Sequence, residues 1–197
     1  MAVEMSRRQF FRLGLGEWSE LLDGDREQKP PSYFRPPGAL DEEIFLRTCE
    51  RCHQCADACP FGVIKALGPA AGVAEQTPVL DPEHNPCRWC ESMDCVGACP
   101  SGALRLGAGG QARAIGKAVI DQQACLNAQG VLCDECTAVC PVEVGAIEMV
   151  GRRPQLDVKA CVGCGLCSYH CHAMPAAINI SSPIPHIEPE KRFPMMP

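Results

Sequence analysis

The residues best suited to chemistry in this chain are its sixteen cysteines. An even count is what a secreted disulfide scaffold would show, but these cysteines fall into four groups of four and none is left over. Fourfold grouping indicates a four-ligand metal centre that is repeated four times. The groups are Cys49, Cys52, Cys55 and Cys59; Cys87, Cys90, Cys95 and Cys99; Cys125, Cys133, Cys136 and Cys140; and Cys161, Cys164, Cys167 and Cys171.

The spacing inside the groups discriminates between metals. Zinc ribbons use C-x2-C pairs that lie roughly 15–20 residues apart, whereas residues 49–60 read C-x2-C-x2-C-x3-C-P. Three closely spaced thiolates suit a loop wrapped over one corner of an iron–sulfide cube, and the fourth is held where it favours a second cluster. Residues 161–171 repeat the cysteine spacing. The pattern therefore favours [4Fe–4S] clusters over zinc and over disulfides.

The second and third groups are variants of this pattern. "CRWCESMDC" stretches the second gap to four residues, and "CLNAQGVLCDEC" stretches the first gap to seven. A longer loop still reaches the same corner of a cluster, and no ligand is missing. We therefore predict that all sixteen cysteines bind four [4Fe–4S] clusters. The first three of each group bind one cluster, and the fourth binds the cluster of a partner group.

Short apolar segments must position these loops. One follows each group, at residues 62–67, 102–106, 145–150 and 176–180, and another leads into each of the last three groups. The predicted unit is a short strand, a cysteine loop, a turn of helix and a second short strand. The groups lie too close together to leave room for a separate large domain. We therefore predict one α+β body over residues 41–181, in which "ALDEEIFLRTC" forms a helix with Asp41 as its N-cap.

The composition argues against several other functions. With 18 Gly, 18 Pro and only 6 Phe, 2 Trp and 2 Tyr, the chain has little material for an ordinary core, so metal centres are expected to replace it. A formal charge of −6 without a basic stripe argues against a nucleic-acid partner. No run approaches the roughly 18–20 apolar residues of a membrane helix. We find no phosphate loop, dinucleotide motif or open metal position, and we predict that the protein is not an enzyme.

With all four groups placed, residues 41–181 resemble the four-cluster ferredoxin-type accessory proteins of the NapF/NapG/MauM kind. The resemblance rests on "FLRTCERCHQCADACP", "PCRWCESMDCVGACPSGAL", "GKAVIDQQACLNAQGVLCDECTAVCP" and "CVGCGLCSYHC". It implies [4Fe–4S] clusters and either electron transfer or assembly support for a respiratory or periplasmic redox enzyme. One departure is His172, which occupies the place of the usual proline after Cys171.

The expected fold is α+β, with two ferredoxin-like dicluster units built from short strands and short helices and with irregular Pro-rich termini. Tandem pairing joins group one with group two and group three with group four. Nested pairing joins group one with group four and group two with group three. We prefer nested pairing, because it joins the two regular motifs to each other and resembles multi-cluster subunits of molybdenum oxidoreductases. Both schemes use the same sixteen ligands.

The sequence indicates two alternative functions. The first is electron transfer through four [4Fe–4S] clusters, as a subunit or accessory of a larger respiratory or redox enzyme. The second is a cytoplasmic assembly or maturation factor that acts on the precursor of a molybdenum or other exported oxidoreductase.

The segments that flank the body bear on location. Residues 1–40 are predicted to be a twin-arginine-like segment, "SRRQFFRLG", and a Pro-rich linker, and residues 182–197 a Pro-rich tail. An export signal needs an apolar stretch after its arginines, but here the following residues include Glu17, Glu20, Asp23 and Asp25. We therefore predict a cytoplasmic protein, with periplasmic export as the alternative.

A few other side chains lie inside the cysteine loops. His53 and His170 do so, but histidine ligates iron in such centres only in place of cysteine, and no cysteine is missing. We therefore expect no histidine ligand. Trp89 and Met93 lie in the second loop. The simpler interpretation is that they shield a cluster from water, and the more specific one is that they contact a docking partner.

Overall fold

The structure is a computed structural model that describes residues 33–141 and 143–182. The twin-arginine-like segment, most of the predicted linker and the tail beyond Ser182 lie outside the described residues. Five short helices are present in the described part: α1 (Glu42–Thr48), α2 (Gln54–Asp57), α3 (Asp94–Gly97), α4 (Glu135–Ala138) and α5 (Leu166–Tyr169). It also contains 3₁₀ turns at Pro69–Ala74 and Leu126–Gln129. None of the described helices has the length and apolar character needed to cross a membrane.

Six strands form three two-stranded antiparallel sheets in the described residues. They are β1 (Lys65–Ala66), β2 (Pro78–Val79), β3 (Lys117–Ile120), β4 (Ile147–Val150), β5 (Arg153–Leu156) and β6 (Ile178–Ser181). β1 pairs with β2, β3 with β6, and β4 with β5. We call residues 33–106 the first half and residues 117–182 the second half.

The two halves repeat one topology. In the second half, β3 precedes cysteine group three and pairs with β6, which follows group four, and the β4–β5 hairpin lies between the groups. In the first half, the β1–β2 pair takes the place of that hairpin. The outer pair is reduced to a bridge between Ala39 and Leu104, beside which the Leu40 N–H donates to the Ala103 carbonyl at 3.1 Å. Each half is therefore closed by its own first and last segments.

A buried arginine holds the start of the first half. The Arg35 side chain is 2 % exposed, its Nε donates to Glu42 at 2.9 Å, and its Nη1 donates to the Thr77 hydroxyl and the Pro78 carbonyl at 2.8 Å. Its guanidinium also lies over the Phe45 ring, 4.8 Å from the centroid. Buried charge of this kind is tolerated only when it is paired and hydrogen-bonded. Arg35 is therefore packed into the first half, although it lies in the segment that was predicted to be linker.

The core is small, and cysteine is part of it. One cluster of buried residues centres on Phe45, Ile64, Leu80 and Ile115 and includes Cys55 and Cys87. A second, in the second half, includes Ile147, Ile178, Cys161 and Cys167. Thiol groups thus occupy positions that aliphatic side chains fill in ordinary domains.

Most of the predicted elements are present. The segments predicted as strands overlap β1, β2, β3, β4, β5 and β6, whereas residues 102–106 form only isolated bridges because the partner segment, residues 36–39, is short and carries two prolines. α1 begins after Asp41 as predicted, but the Asp41 side chain does not cap it. Its carboxylate instead accepts a hydrogen bond from Arg113 at 2.7 Å.

Candidate metal centres

The four short helices α2, α3, α4 and α5 occupy equivalent positions in the cysteine groups. Each contains the third cysteine of its group, and the fourth cysteine lies two residues after the last residue of the helix. The predicted turn of helix is therefore present, but it lies inside the C-x3-C segment rather than after it. α2 packs against α3, and α4 packs against α5. The helices thus bring group one to group two and group three to group four.

Four cavities, each lined by four cysteines, lie around these helix pairs. We call them cages A to D. Cage A has Cys49, Cys52, Cys55 and Cys99; cage B has Cys59, Cys87, Cys90 and Cys95; cage C has Cys140, Cys161, Cys164 and Cys167; and cage D has Cys125, Cys133, Cys136 and Cys171. Every predicted site residue is accounted for, and each lines one cage among these four.

The cages are alike in size and suit a group larger than an ion. The space between their lining atoms, with the part open to solvent included, is about 310, 380, 300 and 370 Å³ for cages A, B, C and D. All sixteen cysteines are free thiols. Within residues 33–141 and 143–182, no three His, Cys, Asp or Glu side chains are gathered closely enough to hold a single metal ion. The four thiols around each space are the donor set that a [4Fe–4S] cluster takes.

Burial and mutual repulsion oppose ionisation of the innermost thiols. Burial, followed by the charges of Cys99 and Cys49, raises the pKa of Cys55 to about 12. Burial also raises the pKa of Cys136 to about 11, with Cys125 and Cys133 as the next contributors. These repelling neighbours share a cage with the thiol they affect. A cationic iron core would convert this repulsion into attraction, and its binding would release protons.

Backbone N–H groups point at several sulfurs. The Leu104 N–H donates to Cys99 Sγ at 3.4 Å, and the Ala177 N–H donates to Cys171 Sγ at 3.3 Å. These are equivalent positions, because each donor follows the last cysteine of its half. Such hydrogen bonds withdraw charge from sulfur and influence the reduction potential of a bound cluster.

The loops between the cysteines are tightly wound. In groups one and two, Arg51, His53, Trp89 and Met93 adopt positive φ, with values from 46° to 62°. In group four, glycines 163 and 165 take the equivalent places before the second cysteine and two residues before the third. Left-handed backbone is uncommon for residues other than glycine, so these loops are held by their surroundings. The cysteine pattern indicates the wrapping, but it does not show which loops require glycine.

The other side chains singled out in the loops have varied positions. Met93 lines cage B, and Trp89 packs against the same core, in agreement with shielding of that cage. His53 lines cage A, and His172 is exposed and lines cage D. His170 packs edge-on against Tyr169, with ring centroids 5.1 Å apart. The most important feature that sequence reasoning missed is Arg35, which no cysteine spacing indicates.

Comparison with known proteins defines the class. Two family models described as 4Fe-4S dicluster domains match residues 86–144 and 117–172, and a 4Fe-4S binding domain matches residues 43–65. The protein is thus a ferredoxin-type 4Fe–4S electron-transfer protein. The predicted cofactor, the [4Fe–4S] cluster, is confirmed by these matches.

Relatives identify the family more narrowly. The chain is 38 % identical over 157 residues to the methylamine utilization ferredoxin-type protein MauM of Methylobacillus flagellatus, covering 75 % of this chain and 67 % of that protein. It is 36 % identical over 160 residues to the ferredoxin-type protein NapG of Escherichia coli, covering 75 % and 69 %. Identity to Escherichia coli NapF is 29 % over 174 residues, or 87 % of this chain and 92 % of NapF. The chain belongs to the family of MauM and NapG, and the predicted resemblance is confirmed.

Proposed function

We propose that this protein carries electrons through four [4Fe–4S] clusters, one in each of cages A to D, with all sixteen cysteines as ligands. The observation that carries the proposal is the partition of sixteen free thiols into four cavities of similar size, with four thiols in each. A bound [4Fe–4S] cluster supplies one-electron redox chemistry. The chain itself supplies the thiolates, excludes water with side chains such as Met93, and directs N–H groups at sulfur.

We infer tandem pairing of the cysteine groups, in place of the nested pairing that the motif spacing favoured. The packing of α2 on α3 and of α4 on α5 supports it. So does the closure of each half by its own outer segments. The two dicluster matches overlap, one spanning groups two and three and the other groups three and four, so they do not discriminate between the schemes.

Paired cysteine substitutions test the pairing. Under the tandem scheme, Cys59 and Cys90 serve the same cluster, so Cys59→Ala with Cys90→Ala should remove one cluster, about four iron atoms per chain. Under the nested scheme the same double variant would disturb two clusters, with a loss of about eight. A matched control is Cys55→Ala with Cys59→Ala, which affects cages A and B and should remove two clusters. Iron and sulfide analysis of anaerobically purified full-length protein decides between the schemes.

The partner is proposed to be a larger redox enzyme that this protein serves as subunit or accessory, without catalysis of its own. Support comes from the relatives, among which MauM is named for methylamine utilization. Affinity purification of the cluster-loaded protein from its native host should recover a redox enzyme, and the mature enzyme should exchange electrons with the reduced protein rapidly. If only the immature enzyme is bound and no electrons are exchanged, an assembly factor is the correct description.

A cytoplasmic location is also proposed. It is supported by the acidic side chains of Glu17, Glu20, Asp23 and Asp25 after the arginine pair, because charged residues disfavour insertion of the stretch into a membrane. Fractionation of the native host tests it. Recovery mainly from the periplasm would show that "SRRQFFRLG" is a working signal.

A further inference from the structure

Cages B and C, which belong to different halves, meet at a backbone contact. The Cys87 N–H donates a hydrogen bond to the Cys164 carbonyl at 3.0 Å. Cys87 lines cage B and Cys164 lines cage C. One hydrogen bond therefore connects a thiol-bearing residue of the first half directly to a thiol-bearing residue of the second.

Further contacts hold this junction together. The Ile115 and Gly116 N–H groups both donate to the Val162 carbonyl, at 2.9 and 3.3 Å. Cys164 and Leu166 belong to the second half, yet both are buried in the core cluster of the first half. We call this contact the seam: residues 162–165 against Pro82, Cys87 and residues 115–116.

Two glycines make the close approach of the seam possible. A Cβ at position 163 would lie 2.2 Å from the carbonyl carbon of Gly116, and a Cβ at position 165 would lie 2.6 Å from Pro82 Cβ. Both distances are far below ordinary van der Waals contact, and the obstructing atoms are backbone or ring atoms that cannot swing away. Away from the seam, the two halves are separated by a groove of about 500 Å³ that Cys90 lines on one side and Cys161 on the other.

We propose that the seam is the electron-transfer contact between the two dicluster halves, with Gly163 and Gly165 as the residues that position it. The inference rests on the proposed ligand set. Electron tunnelling decays less steeply through bonded atoms and hydrogen bonds than through open space, so the Cys87–Cys164 hydrogen bond is the favoured route. With clusters bound in cages B and C, a transfer across it would oxidise one cluster by one electron and reduce the other by the same electron. No bond breaks and no proton moves.

The seam is best tested in protein that holds clusters only in cages B and C. In the full-length protein, Cys52→Ala and Cys133→Ala remove one thiol from cage A and one from cage D. This background should retain about eight iron atoms in two clusters. After reduction, electron paramagnetic resonance should show magnetic interaction between the two clusters. Loss of iron from cages B and C in this double variant would contradict the ligand assignment. Two intact clusters without magnetic interaction would overturn the proposed role of the seam and leave the ligand assignment standing.

Glycine variants in the same background test the positioning role. In protein that retains both clusters, Gly163→Ala and Gly165→Ala should weaken the magnetic interaction and increase hydrogen exchange at the Cys87 amide. Gly151→Ala is the matched control, because Gly151 has a similar φ of +64° against +67° at Gly163, but its added Cβ would meet nothing within 4 Å. If one of the two glycine variants loses iron, the other is compared with Gly151→Ala. Unchanged interaction in an iron-retaining seam variant, or iron loss in both while Gly151→Ala stays intact, would overturn the proposal.

Discussion

Cys136 lies in the short helix α4 and Cys140 lies two residues after it, yet their thiols line different cages, D and C. The same division separates Cys55 from Cys59 in the first half. A single turn of helix thus places successive thiols in neighbouring cages. This arrangement keeps the two cages of each half close to one another without any long connecting element.

The first prediction concerns cluster content. Anaerobically purified protein should contain about 16 iron and 16 acid-labile sulfide per chain, because four cubane clusters hold four of each. Elemental analysis and sulfide determination on the same sample provide the measurement. A colourless protein rich in zinc would contradict the proposed function.

The second prediction concerns stability without clusters. Cage residues such as Cys55, Cys87 and Cys167 are buried parts of a small core, so removal of iron leaves cavities that few apolar side chains can fill. The apo-protein should be largely unfolded. Circular dichroism before and after anaerobic chelation measures this, with a mock-treated sample as control. A cooperative melt of the apo-protein would show that the polypeptide core suffices.

The third prediction concerns the reduction potential of the cluster that we propose in cage A. Ser101 Oγ lies 3.7 Å from Cys99 Sγ, and its hydroxyl is the donor when the sulfur is an iron-bound thiolate. Ser101→Ala removes a hydrogen bond that is stronger to the more electron-rich reduced cluster, so the potential should become more negative, by at most about 40 mV if the full value of about 1 kcal/mol is confined to the reduced state of a one-electron couple. Redox titration followed by electron paramagnetic resonance measures the shift. Ser92→Ala is the control, because the Ser92 hydroxyl donates to Asp94 and not to sulfur.

The fourth prediction compares two ion pairs. The side chains of Arg35 and Glu42 are 2 % and 10 % exposed, whereas those of Arg113 and Asp41 are 46 % and 73 % exposed. Glu42→Gln leaves a buried guanidinium without its counter-ion and should lower the free energy of unfolding by about 3–5 kcal/mol. Asp41→Asn should lower it by less than about 1 kcal/mol. Denaturant titration of the cluster-loaded protein under anaerobic conditions tests the difference. Equal effects would mean that the Arg35 site does not hold the first half.

The fifth prediction concerns a pH-dependent contact. Asp81 accepts a hydrogen bond from His84 Nδ1 at 2.9 Å, and this bond, followed by the charge of Asp81, raises the pKa of His84 above 6.5. The pair therefore stabilises the folded state below pH 6.5, and this contribution is lost as pH rises through the raised pKa. Asp81→Asn should lower the pKa of His84 towards its ordinary value. A histidine titration by nuclear magnetic resonance checks this, and Glu83→Gln should produce a smaller decrease.

Features encoded over short stretches could be predicted from the sequence. The sixteen cysteines, their grouping and the apolar segments around them require only local spacing and composition, and the strands β3, β4, β5 and β6 lie where those segments predicted them. The preference for nested pairing arose because similarity between motifs was taken as a sign of partnership. In the structure, β3, which precedes group three, pairs with β6, which follows group four, and α4 packs against α5 in the same half.

The sequence by itself therefore determined the chemistry, since three closely spaced thiols in one loop with a fourth nearby indicate the same kind of cofactor wherever the loop lies. Only the tertiary structure decided which fourth cysteine completes which cage, because residues such as Cys55 and Cys99 are brought together by helix packing over a long stretch of chain. It also decided why Arg35 is buried and why positions 163 and 165 are glycine. Both depend on backbone from distant segments, Thr77 and Pro78 for the arginine and Gly116 and Pro82 for the glycines, and no local pattern records that proximity.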